Sequence, residues 1–223
     1  MKRIEGNWII QYSIIGKGDD KIISPTSRFT TIKNGEIKNY IFGIEDVNNI
    51  DDHSKYFAFG EYLKLTRLDK RKTQFVFKIE KLNKDSLVLN QVDRNRLIVH
   101  KKISKDLRNN IDLKKLIDKS FELKIGNSID TIYFDNSYLM FKKPNEPIEK
   151  WNSDGWKLIK IDGFDILLTG SSSTFIVKEN NGKIYLNQFG LGGEILKLEL
   201  SEIEIKTKRV KQIVEEIKRF EGY

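Results

Sequence analysis

Most of the chain alternates apolar and polar residues with a period of two, in short runs separated by turn residues. That is the pattern of half-buried antiparallel strands. Residues 8–15 form the first run, apolar and β-branched, and Gly16-Lys17-Gly18-Asp19-Asp20 stops it. Residues 28–33 form a second. Asn34-Gly35 then offers the two positive-φ positions of a type I′ hairpin, returning the chain through 36–42. The acidic stretch 45–55 reads as a loop. Strands follow at 56–68, 73–82, 86–91 and 95–103, with turns at Asp69-Lys70-Arg71-Lys72 and Asn83-Lys84-Asp85. Phe75, Phe77 and Ile79 alternate with Val76, Lys78 and Glu80, so one face of that strand is expected to meet a core.

The period changes after residue 103. Ser104 stands as an N-cap, Asp106 falls in the first turn, and Leu107, Ile111, Leu113, Leu116 and Ile117 recur at near-helical spacing, predicting a helix. Strand patterning resumes at 121–125, 128–134 and 137–142, crosses a loop over 143–154 that holds Pro144 and Pro147, and continues at 155–161, 164–169, 174–178, 183–189 and 194–205. Asp162-Gly163 and Asn181-Gly182 repeat the hairpin chemistry. Val210, Ile213, Val214, Ile217 and Phe220 mark an amphipathic helix at the end, with Gly222 placed to stop it. Each half is therefore a row of antiparallel strands finished by one helix. The expected division is into modules 1–119 and 120–223, alike in architecture but not in residue identity.

Composition narrows the class. With 39% hydrophobic and 32% charged residues in 223, the chain is expected to build one or two globular cores under a heavily charged surface. Its 13 Phe and 8 Tyr favour sheets. The net charge of +8 admits an anionic partner. No run of five or six like charges appears, so scattered surface lysine is the simpler account. Zero cysteines exclude disulfides, thiolate metal sites and cysteine nucleophiles together. Met1-Lys2-Arg3 leads straight into the first strand without an apolar leader, and nothing approaches a membrane-spanning run, so a cytoplasmic protein is expected.

Candidate chemistry is sparse. His53 and His100 are far apart and bring no cluster of ligands, so no metal and no cofactor is expected. Gly16-Lys17-Gly18 and Gly190-Leu191-Gly192-Gly193 do not open helices after buried parallel strands, which makes them turns rather than phosphate cradles. Gly170-Ser171-Ser172-Ser173 is a polar strand-end loop. Lys64, Arg67, Lys70, Arg71 and Lys72 form the densest basic patch near Phe75 and Phe77, an arrangement that can hold single-stranded nucleic acid. Because those phenylalanines share a face with Ile79, core packing outranks that reading.

Gly6-Asn7-Trp8 on the first strand, Gly60-Glu61-Tyr62, the alternating 74–82 strand, Leu87-Val88-Leu89 and a last strand ending His100-Lys101-Lys102-Ile103 follow one another in an order that resembles the bacterial lipocalin-like proteins. The resemblance covers about the first hundred residues, and more loosely 129–200. It implies a mainly β fold of two tandem antiparallel lipocalin-like barrels or partial barrels, each ending in an α-helix. It also implies a cation from the last strand, Arg96 or Lys101, laid across Trp8 as a structural clasp. An eight-stranded barrel is just wide enough for one small ligand or for its own side chains. Tyr40, Phe42, Phe59 and Tyr62 are the candidates to line the first interior.

With no nucleophile elbow and no acid–base constellation, the expected role is non-enzymatic binding. A small apolar or amphiphilic ligand inside the first barrel is the leading reading. The alternative is a protein partner gripped by outer loops and basic surface, as an immunity or antitoxin-like factor grips an acidic toxin. Nucleic acid ranks below both. Nothing in the chain specifies an oligomeric state.

Overall fold

The computed structural model describes residues 4–16, 18–41, 50–125, 127–142, 152–170, 173–189 and 195–204, with 211–213, 215, 216 and 219 beyond them. They form two compact units, each built on a closed barrel of eight antiparallel strands.

The first barrel runs β1 (Gly6–Ile15), β2 (Ile22–Lys33), β3 (Glu36–Tyr40), β4 (Ile50–Phe59), β5 (Tyr62–Arg67), β6 (Gln74–Leu82), β7 (Ser86–Gln91) and β8 (Arg96–Lys102). Each strand bonds to the next, and β1 closes on β8. Asn34-Gly35 makes the expected hairpin, with φ of 53° and 78°. Two expectations change. The 45–55 loop is strand from Ile50 onward, pairing with β3. The single strand expected over 56–68 is two, folded at Gly60, whose φ of 55° suits glycine. That turn supplies the eighth strand. β1 is bulged between Ile10 and Tyr12, and β6 between Ile79 and Lys81.

The second barrel comprises β9 (Lys119–Ile125), β10 (Ser128–Phe134), β11 (Tyr138–Lys142), β12 (Asn152–Ile161), β13 (Phe164–Thr169), β14 (Thr174–Asn180), β15 (Lys183–Phe189) and β16 (Ile195–Ile203), closed by β16 against β9. Asp162-Gly163 and Asn181-Gly182 again place both turn residues at positive φ. Phe121, Phe134 and Trp156 interlock edge to face at its centre.

The helix expected over 104–117 is replaced by two single 3₁₀ turns, Lys105–Leu107 and Leu113–Lys115. The backbone donors it needed are used across the barrel instead: Asn109 N–H bonds the Gly163 carbonyl at 2.9 Å, and Ile111 N–H bonds the Asp165 carboxylate at 2.6 Å. The apolar residues that suggested a helix serve a different purpose. Ile111 and Leu116 enter the second core. The terminal helix survives at the described residues 211–213, 215, 216 and 219. Val210, Val214, Ile217, Phe220 and Gly222 lie outside the described residues, as do Pro144, Pro147 and the 190–193 glycine loop.

Candidate functional site

Residues paired across an antiparallel sheet project from the same face, so register assigns side chains to the lumen or the outside of the first barrel. Trp8 pairs with Thr30 and Lys102, and Ile10 with Arg28 and His100. Continuing round, Ile37 and Asn39 meet Ser54 and Asp52, Leu63 and Leu65 meet Phe77 and Phe75, and Gln91 meets Arg96. The buried cluster of Trp8, Ile32, Ile37, Leu63, Phe77, Leu87 and Leu89 marks this face as the interior.

One end is closed. The Trp8 indole donates to the Ile4 carbonyl at 3.0 Å, fixing the chain entry beneath the barrel. Lys102 lays its ammonium 4.9 Å from the indole centroid and donates to the Glu5 carbonyl at 3.1 Å. Trp8 is therefore clasped by Lys102, its direct cross-strand partner, and not by Arg96 or Lys101. Lys101 is paired with Ile9 on the other face, and Arg96 stands at the opposite end of β8. Gly6 explains the first residue of the Gly6-Asn7-Trp8 motif. Its φ is 145°, and a Cβ there would sit 2.8 Å from the Lys102 Cε. We expect Gly6→Ala to cost about 1–3 kcal/mol through backbone strain and a displaced clasp. An unchanged denaturant midpoint would show that the motif needs no glycine.

Above the clasp the lumen turns polar. His100 is buried, its Nδ1 donating to the Leu87 carbonyl at 3.3 Å, and burial lowers its pKa to about 4, so it is neutral near pH 7. Thr30 donates to Asn39 at 2.6 Å, and Ser54 to Asp52 at 2.9 Å. Arg67 Nε lies 3.6 Å from Asp52 and 3.0 Å from Asp69. Arg96 donates from Nη2 to Ser13 Oγ at 3.1 Å. The rim beyond is open to water: Ile15 and Ile22, opposite each other on β1 and β2, are 43% and 67% exposed.

Of the four residues predicted to line this interior, Tyr40 pairs with Phe29, on the face opposite Thr30 and Ile32, and its ring meets Phe29 edge-on at 6.0 Å. Phe59 and Tyr62 pair with each other one residue out of phase with Ala58 and Leu63, their rings stacked at 5.7 Å. Phe42 lies outside the described residues. Arg28, Arg67 and His100 on the lumen face were not foreseen. The Asn34-Gly35 turn fixes Arg28, Thr30 and Ile32 on one side of β2, but the bulges in β1 and β6 leave no trace in the apolar pattern.

Among the described residues no group of three or more His, Asp or Glu could hold a metal ion, and no helix is long and apolar enough to cross a membrane.

No family model and no curated protein sequence matches the chain. Among solved structures it is similar to a lipocalin-like protein from Bacteroides uniformis, 16% identical, with a TM-score of 0.37 over 45% of this chain and 99% of that one. It is also similar to an uncharacterized protein from Bacteroides eggerthii, 13% identical, with a TM-score of 0.36 over 44% of this chain and 98% of that one. The eight-stranded barrels rest on their own strand pairing.

Proposed function

We propose that the first barrel is a non-catalytic binding module that takes a small apolar or amphiphilic molecule into its lumen. One observation carries the reading. Phe75, Ile79 and Ile98 share the interior face, yet each is only half-buried although strands surround them. An inward side chain in a closed barrel keeps contact with water only where the interior is not filled. Apolar walls with a few polar groups toward an exposed rim are what such a ligand requires.

N-phenyl-1-naphthylamine, a neutral probe whose emission rises in apolar surroundings, is expected to bind the full chain at one site. Ile98→Trp should fill the space and weaken binding at least tenfold without lowering the unfolding midpoint. Emission no greater than that from a mixture with unfolded protein would remove the reading.

A second reading has its own support. Phe57 and Phe59 stack at 6.2 Å on the outer face of β4–β5 and are 68% and 44% exposed, with Lys64 opposite Phe57. Such a patch with basic neighbours suits an acidic protein partner, as an immunity or antitoxin-like factor would have. Phe57→Ser should then abolish capture of that partner while leaving probe binding intact.

A further inference from the structure

Resting on the lumen reading above, we infer that the ligand is an anionic amphiphile whose acid head is met by Arg96 and Arg28 below the rim of the first barrel.

Arg28 stands opposite Ile10 and Arg96 opposite Gln91, so both guanidinium groups rise from the lumen face. They are close enough to repel. The Arg96 pKa is lowered, first by burial and then by the positive charges of Arg28 and Arg94. Arg96 spends one nitrogen on Ser13, whereas its buried Nε has no hydrogen-bond partner among the described residues.

Even partial burial of a guanidinium beside like charges is unfavourable unless an anion is supplied. Among the described residues, the lumen carboxylate that register brings round, Asp52, is already engaged by Arg67 and by Ser54. The remaining donors belong to a planar guanidinium fork, the geometry that accepts a carboxylate or phosphate. The half-buried apolar wall of Phe75, Ile79 and Ile98 lies on the same face to take a chain. A head held near Arg96 with its tail toward Ile98, the next inward residue along β8, satisfies both at once.

The test compares four twelve-carbon ligands on the full chain by displacement of the neutral probe: dodecanoate, dodecyl phosphate, dodecan-1-ol and dodecyltrimethylammonium. At least one acid is expected to bind about 10- to 100-fold more tightly than the alcohol, the range for a hydrogen bond to a charged group. Which acid binds better separates a carboxylate source from a phosphate one. Arg96→Met should erase most of that preference and leave the affinity for dodecan-1-ol unchanged, while Arg96→Lys should keep part of it.

Equal binding of acids and alcohol by the unaltered chain, preference for the ammonium, or an Arg96→Met loss shared equally by all four would overturn this inference while leaving the lumen reading intact. Failure of every ligand and of the neutral probe would remove both.

Discussion

Between pH 7.5 and 4.5 the first barrel is expected to lose about 2–3 kcal/mol of stability through His100 alone. The imidazole sits on the lumen face between Ile10 and Leu87, fully buried, and burial is the largest cause of its lowered pKa. The folded pKa is about 4 against an ordinary 6.5, so the folded state resists the proton that the unfolded chain accepts. The contribution is therefore complete above about pH 6.5, declines as the pH falls, and stops declining near the folded pKa. Guanidinium unfolding at the two pH values measures it. His100→Gln keeps a donor for the Leu87 carbonyl but cannot titrate, and its stability should fall less over the same range. Equal losses in the two proteins would mean that the carboxylates, which both share, carry the whole effect.

The second large effect concerns the connector. Leu116→Ala in the full chain is expected to cost about 2–5 kcal/mol, the usual range for emptying a fully buried leucine site. Leu116 and Ile111 are both core residues of the second barrel although they precede its first strand. Between them and the β12–β13 turn, Asp165 is completely buried and takes the Ile111 N–H at 2.6 Å and the Lys160 ammonium at 2.7 Å. Two fragments extend the test. One begins at residue 120, at the division suggested by pattern, and the other at 107. The shorter fragment lacks both apolar groups and leaves Asp165 without its backbone donor, a loss that consumes much of the roughly 5–15 kcal/mol of a typical domain. The 107–223 fragment should unfold cooperatively and the 120–223 fragment should not. Matching transitions would show that the connector is dispensable.

Turn chemistry was the most legible part of the fold. Asn34-Gly35, Asp162-Gly163 and Asn181-Gly182 were readable because only a few residue pairs tolerate two consecutive positive φ angles. The Gly60 turn was hidden because Gly60-Glu61 lacks the Asn-Gly or Asp-Gly signature of the other hairpins and stands between Phe59 and Tyr62. Residues 104–117 misled for a different reason. Their spacing fits a helix, but Asp165 and Gly163 compete for the donors a helix would use, and that competition exists only once the barrel is formed. Lumen and outside could not be separated for Phe59 and Tyr62, because this sheet carries large apolar side chains on both faces. Only register decides, and bulges near Gln11 and Glu80 shift it.

In both barrels every strand but one pair joins its neighbour in sequence; the exceptions are the seams, β1 with β8 and β9 with β16. Neighbouring hairpins can zip as they emerge from a ribosome, but the first seam must wait until Lys102 has been made to meet Trp8. Until then the first strand travels with an unpaired edge, and nascent-chain handling of that edge becomes part of how this protein reaches its native state.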